Sequence, residues 1–124
     1  MPKNTKILLI EDNPDQAEVY ATELTNSGFE ALHTPDGEEA LRLAKEEQPD
    51  LILLDLMLGN SSGLDILKAI KADPATKGAK VIAVTNFREK ELLESQRVAG
   101  IYDYIYKPDY TPRELARKVL EYLI

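Results

Sequence analysis

Glu11, Asp12, Asp55, Thr85 and Lys107 are the residues of this sequence whose side chains, taken together, can move a phosphoryl group. Each ends or follows a short apolar run. Glu11 and Asp12 come after Ile7-Leu8-Leu9-Ile10, and Asp55 after Leu51-Ile52-Leu53-Leu54. Thr85 comes after Val81-Ile82-Ala83-Val84, and Lys107 after Tyr104-Ile105-Tyr106. Three carboxylates brought to one place repel, and each resists ionising unless a cation offsets the cost. The chain has no cysteine and its single histidine is not nearby in sequence, so the ligands on offer are oxygens and the expected cation is Mg²⁺. Thr85 offers a hydroxyl donor and Lys107 a mobile positive charge. Phosphoryl transfer spreads negative charge over equatorial oxygens, so positioning and charge neutralisation do most of the catalysis.

Taken singly, each residue has a plainer role open to it. Asp12 and Asn13 can cap a helix. An aspartate closing an apolar strand is more often a turn former than a nucleophile. Thr85 reads equally as a strand-end threonine and Lys107 as a solvated lysine. The weight lies in all five falling at strand ends within one short chain.

The elements that must position them alternate. The first three apolar runs read as strands buried on both faces, Tyr104-Ile105-Tyr106 as a short aromatic strand, and residues Phe29 to Thr34 as a weaker one. Asn13-Pro14 supplies an N-cap with proline at the first helical position, ahead of Ala17, Tyr20, Ala21 and Leu24 at helical spacing, and Gly28 is placed to end that helix. Asp36 and Glu39 form a capping box ahead of Ala40, Leu41 and Ala44. Leu64, Leu67 and Ile70 mark a third helix bounded by Pro74, and a fourth is expected roughly from Arg88 to Val98. Thr111 and Glu114 form a second capping box, opening a last helix with Leu115, Val119 and Leu123 on one face. Strand and helix thus alternate five times, which predicts a doubly wound parallel sheet with helices on both faces. Such sheets bind ligands beyond the carboxyl ends of their strands, where the five residues stand.

Composition narrows the function. The 124 residues suit one domain, and a net charge of -7 argues against direct contact with nucleic acid or an anionic membrane. No apolar run approaches the roughly 20 residues of a membrane span, so a cytoplasmic protein is expected. Zero cysteines exclude a disulfide framework and a thiolate metal site.

The stretches Ile7-Leu-Leu-Ile-Glu-Asp-Asn13, Asp50-Leu-Ile-Leu-Leu-Asp-Leu-Met-Leu58 ahead of Gly63, Val84-Thr85 and Tyr104-Ile-Tyr-Lys-Pro108 together resemble the receiver domains of two-component response regulators, over essentially the whole chain. The resemblance implies a flavodoxin-like (βα)5 fold with strand order 2-1-3-4-5, an order the family shares with the chemotaxis receiver. It implies one receiver domain over residues 1–124, with no output domain in this chain. By the same resemblance Asp55 is the phosphoacceptor, and Asp12 and Asp55 bind Mg²⁺ alongside the backbone carbonyl of Met57, with Glu11 acting through water. Thr85 and Lys107 hold the phosphoryl oxygens, and Thr85 and Tyr104 form the switch. The implied partners are a sensor histidine kinase or histidine phosphotransfer protein and an unspecified downstream protein or output domain. The Lys107-Pro108 bond resembles one that is cis in the family, against a general frequency of about 5–6 % for such bonds.

This sequence also departs from the family pattern. Gly59 stands where proline is common, Asn86 where a small residue is usual, and Asp109-Tyr110 lengthens the turn after Lys107-Pro108. Met57 and Phe87 flank the path of an attacking water by resemblance and cannot orient it by hydrogen bonding. Two other functions are open to a chain of this pattern. An aspartate-nucleophile phosphohydrolase normally has a second carboxylate two residues after the nucleophile, where this chain has Met57. A non-phosphorylated binding module would have a broken acidic site. His33, alone on its strand, is expected to be a half-buried packing residue.

Overall fold

The computed structural model describes residues 5–56, 63–86 and 100–123. Along the chain these form β1 (Lys6–Ile10), α1 (Pro14–Asn26), β2 (Glu30–Thr34), α2 (Gly37–Glu47), β3 (Leu51–Asp55) and α3 (Gly63–Ala72). They continue with β4 (Lys80–Thr85), β5 (Asp103–Tyr106), a 3₁₀ turn over Lys107–Asp109 and α4 (Pro112–Leu123). The helix expected between Arg88 and Val98 lies outside the described residues, as do Met57, Gly59 and Phe87.

All strand pairs are parallel, in the order β2-β1-β3-β4-β5. Alternation along each strand divides the core into two layers. Ile7, Leu9, Leu51, Leu53, Ile82, Val84 and Ile105 face one side, where α1 contributes Ala17, Tyr20 and Leu24 and α4 contributes Leu115, Ala116 and Val119. Leu8, Ile10, Ile52, Leu54, Val81 and Ala83 face the other, against Ala40 and Ala44 of α2 and Ile66, Leu67 and Ile70 of α3. Central strands covered on both faces have no polar side, which is why their sequence reads as unbroken apolar runs.

The helix starts are fixed locally. Asn13 caps α1, its side chain accepting from the Gln16 N–H at 3.0 Å, with Pro14 in the first turn. Gly28, at φ 96°, turns the chain out of α1 in a conformation that costs other residues more. The Thr111–Glu114 box closes in both directions, at 2.9 Å and 3.1 Å. The Asp36–Glu39 box closes in one direction only. Asp36 accepts from the Glu39 N–H at 2.9 Å, but its own N–H donates to Thr34 Oγ1 at 3.1 Å. With that amide already satisfied by the preceding threonine, Glu39 turns to Arg42 instead, 3.6 Å away.

Candidate functional site: an acid–lysine cleft at the carboxyl edge of the sheet

The parallel strands end in register, and this carries the polar residues to one edge. Ile10 of β1 stands opposite Thr34 and Leu54, so Glu11 emerges beside Asp55, the last residue of β3. Asp55 in turn pairs with Val84, and Thr85 with Tyr106. Thr85 and Lys107 therefore leave the sheet on the same side as the acids. The Glu11 N–H donates to the Thr34 carbonyl at 3.1 Å, extending the ladder one step and fixing where the acidic pair begins.

Glu11, Asp12 and Asp55 each bring a carboxylate oxygen within 4.8 Å of the others. Lys107 closes the group. Its Nζ donates to Glu11 Oε1 at 2.9 Å, Gln16 Oε1 at 2.7 Å and Asp55 Oδ2 at 3.3 Å. Lys107 and Asp55 side chains are each 7 % exposed and Glu11 is 2 % exposed, whereas Asp12 is half-buried. Buried charges on this scale persist only when paired, and the ammonium provides that pairing.

Electrostatics follow from the same packing. Burial pushes the Glu11 carboxyl above its ordinary range and the charge of Asp55 adds to this, while the bond from Lys107 opposes it. For Lys107, burial works to lower the ammonium's pKa, but its hydrogen bond to Glu11 and the charges of Asp55 and Glu11 outweigh it and leave it raised. The cleft thus carries an excess of negative charge that one ammonium does not fully offset. An all-oxygen, carboxylate-rich set of this kind fits a hard divalent cation such as Mg²⁺, with Glu11, Asp12 and Asp55 as the residues able to hold it.

The remaining expectations divide. Thr85 is fully buried at the end of β4. Tyr104 is half-buried on β5, opposite Ala83, and packs against the α2–α3 layer. Asn86 is exposed beyond Thr85, and Tyr106 is half-buried at the rim. The backbone carbonyl of Met57 lies outside the described residues. The Lys107-Pro108 bond is trans, since no cis peptide occurs among the described residues. The chain there folds into the 3₁₀ turn, with the Tyr110 N–H donating to the Lys107 carbonyl at 3.1 Å. His33 is exposed rather than packed, and its Nε2 donates to the Glu11 carbonyl oxygen at 2.9 Å. The end of β2 is an edge of the sheet, so an outward side chain there has little to pack on.

Gln16 is the cleft residue that the sequence reading missed. It is the third residue of α1, where the side chain points back past the helix start toward the strand ends. A polar residue in the first turn of the helix that follows an acidic strand end was the available signal.

A doubly wound parallel sheet with a buried acid–lysine cleft at its carboxyl edge defines a CheY-like domain of flavodoxin fold. The chain belongs to the response regulator receiver domain family, whose model matches residues 7–120. It is 41 % identical over 113 residues to the polar-differentiation response regulator DivK of Brucella anthropi, covering 91 % of this chain and 90 % of that relative. The DivK of Brucella ovis is 40 % identical over 107 residues, with 86 % of this chain and 87 % of that one covered. Among solved structures, a CheY-like receiver domain protein from Methanospirillum hungatei superposes with a TM-score of 0.84 at 30 % identity, covering 98 % and 94 % of the two chains. The receiver domain of a Pseudomonas aeruginosa sensor histidine kinase, solved with a magnesium ion coordinated in its active-site cleft, superposes with a TM-score of 0.83 at 30 % identity, covering 95 % and 96 %. The family consists of two-component signalling regulators, not conventional enzymes.

Proposed function

We propose that this receiver domain accepts a phosphoryl group on Asp55 from a phosphohistidine of a sensor kinase or phosphotransfer protein, and relays the change to a downstream partner. The observation that carries the reading is the placement of Lys107 Nζ between Glu11 and Asp55, within a cluster of three carboxylates. Asp55 is the member of that cluster that ends a central strand. It is held by β1 and β4 on either side of β3, and so is the best fixed to act as nucleophile.

In the proposed step an Asp55 carboxylate oxygen attacks phosphorus. The O–P bond forms as the P–N bond to the donor imidazole breaks, and the departing nitrogen takes up a proton. A magnesium ion, when bound by Glu11, Asp12 and Asp55, would offset the negative charge of the acids and of the incoming phosphoryl group. The Lys107 ammonium, already against Asp55, is placed to neutralise a phosphoryl oxygen, and the buried Thr85 hydroxyl to donate to another. Thr85 and, on the neighbouring strand, Tyr104 make up the proposed switch, since a hydroxyl drawn toward the phosphoryl group changes the packing available to the half-buried ring. No helix among the described residues is long and apolar enough to cross a membrane; the proposed cytoplasmic location rests on membership of the response regulator family.

Incubation with acetyl phosphate and Mg²⁺ tests the reading. Mass spectrometry is expected to find one phosphoryl group on Asp55, and Asp55→Asn to abolish it. Labelling of that variant at the wild-type rate would overturn the assignment.

A further inference from the structure

The shortest contact of the Lys107 ammonium is to a neutral group, Gln16 Oε1 at 2.7 Å, and not to either carboxylate. An ammonium has donors only, so the amide must present its oxygen. The Gln16 backbone is fixed as well. Its N–H donates to Asn13 Oδ1 at 3.0 Å in the first turn of α1, and the next turn packs Ala17 and Tyr20 into the core. Lys107, by contrast, sits on the 3₁₀ turn after β5, with the exposed Pro108 and Asp109 beside it.

The two kinds of acceptor respond differently when the cleft is filled. Glu11 and Asp55 belong to the acidic cluster, and a divalent cation there would draw on their lone pairs and repel the ammonium beside them. Gln16 is outside that cluster and carries no charge, so its hold on Lys107 survives. We propose that Gln16 is a positioning residue whose side-chain oxygen keeps the Lys107 ammonium aimed into the cleft while the carboxylates are engaged with a cation. The inference rests on the proposed phosphoacceptor site and adds to it a part that connects α1 to the turn after β5.

Gln16→Met keeps length and helix preference and removes the acceptor, whereas Gln16→Glu keeps an oxygen at the same reach. With acetyl phosphate at saturating Mg²⁺, Gln16→Met is expected to label about ten-fold more slowly, the loss expected for one hydrogen bond to a charged group. Its half-saturating Mg²⁺ concentration is expected to stay within about two-fold of wild type, because Gln16 is not a carboxylate of the cluster. In Mg²⁺-saturated protein, the slowly exchanging ¹⁵Nζ signal of Lys107, assigned with Lys107→Arg, is expected in wild type and Gln16→Glu and absent in Gln16→Met. An unchanged labelling rate in Gln16→Met, or a Lys107 signal that persists in it, overturns the inference. So does a shifted Mg²⁺ requirement with an unchanged maximal rate. The Lys107 signal does not depend on phosphorylation, so it judges Gln16 even if Asp55 proves not to be the acceptor.

Discussion

Lys107 Nζ stands 3.3 Å from Asp55 Oδ2 across 52 residues of sequence, brought there by β4, which pairs with β3 on one side and β5 on the other. The pair is buried, so removing one member leaves the other charged and uncompensated. Lys107→Met is expected to lower the stability of metal-free protein by about 3 kcal/mol, the low end for breaking a buried pair. The same change removes a repelling charge from the acidic cluster and is expected to tighten Mg²⁺ binding while slowing phosphoryl labelling. Urea unfolding without metal and a Mg²⁺ titration check the two halves. Weaker Mg²⁺ binding by Lys107→Met would mean that the lysine organises the carboxylates and does not merely neutralise them.

Divalent metal is expected to stabilise the wild type, because the acidic cluster exists only in the folded chain. At one hundred times the dissociation constant the gain is about 2.7 kcal/mol. Asp12 is half-buried, the most accessible of the three acids, whereas Glu11 is buried and tied to Lys107 at 2.9 Å. Asp12→Ala should therefore forfeit more of the metal-dependent rise in melting temperature than Glu11→Ala. Equal losses in a thermal-shift titration would contradict this ligand shell.

Most of the fold was legible because its causes are local or periodic. Runs such as Leu51-Ile52-Leu53-Leu54 signal strands buried on both faces, and Asn13-Pro14 and Thr111–Glu114 carry their caps in the sequence itself. The acids and Lys107 could be placed because strand ends in a parallel sheet share an edge. What escaped depends on competition between neighbours that spacing does not encode. Thr34 takes the Asp36 amide and so releases Glu39 from its box. His33 lies on an edge strand and finds a backbone carbonyl instead of a packing surface. Gln16 was hidden because its partner lies 91 residues away.

Gly63 begins α3 directly behind β3, the strand that ends in Asp55. A Cβ built there would come 2.6 Å from Leu56 Cα and 2.8 Å from the Asp55 carbonyl oxygen, both backbone atoms that cannot rotate aside. Gly63→Ala is expected to cost about 1–3 kcal/mol, as overpacking does, and to shift the amide resonances of Asp55 and Leu56. A variant as stable as wild type, with those resonances unmoved, would show that α3 can slide without disturbing the site.

At the opposite edge of the sheet, the Tyr122 hydroxyl donates to Asp103 Oδ2 at 2.6 Å and ties α4 to the start of β5. Tyr122→Phe keeps the edge-on ring contact with Tyr102, at 5.9 Å between centroids, and removes only the bond. A loss of about 1.5 kcal/mol in urea unfolding is expected, the low end for a hydrogen bond to a charged group. No measurable loss would assign the docking of α4 to its apolar face alone.

The reciprocal cap at Thr111 and Glu114 separates two contributions by pH. The Thr111 N–H donates to Glu114 Oε1 at 2.9 Å, and the Glu114 N–H donates to Thr111 Oγ1 at 3.1 Å. The first bond favours the ionised carboxylate and holds the Glu114 pKa below its ordinary 4.5. A depressed folded-state pKa contributes stability that is present above the unfolded value and is lost as pH falls through the folded one. Glu114→Gln is therefore expected to destabilise at neutral pH, with the difference from wild type shrinking as pH drops below 4.5. Thr111→Ala removes a neutral acceptor and leaves the backbone N–H that binds Glu114. The Thr111 side chain also helps to hold the Glu114 carboxyl down, so the cost of Thr111→Ala, about 1 kcal/mol for a lost N-cap, should shrink in acid by less than that of Glu114→Gln. Urea unfolding of both variants between neutral pH and the acid limb makes the comparison. A Glu114→Gln difference that stays constant with pH would show that the carboxylate's charge contributes nothing to the cap.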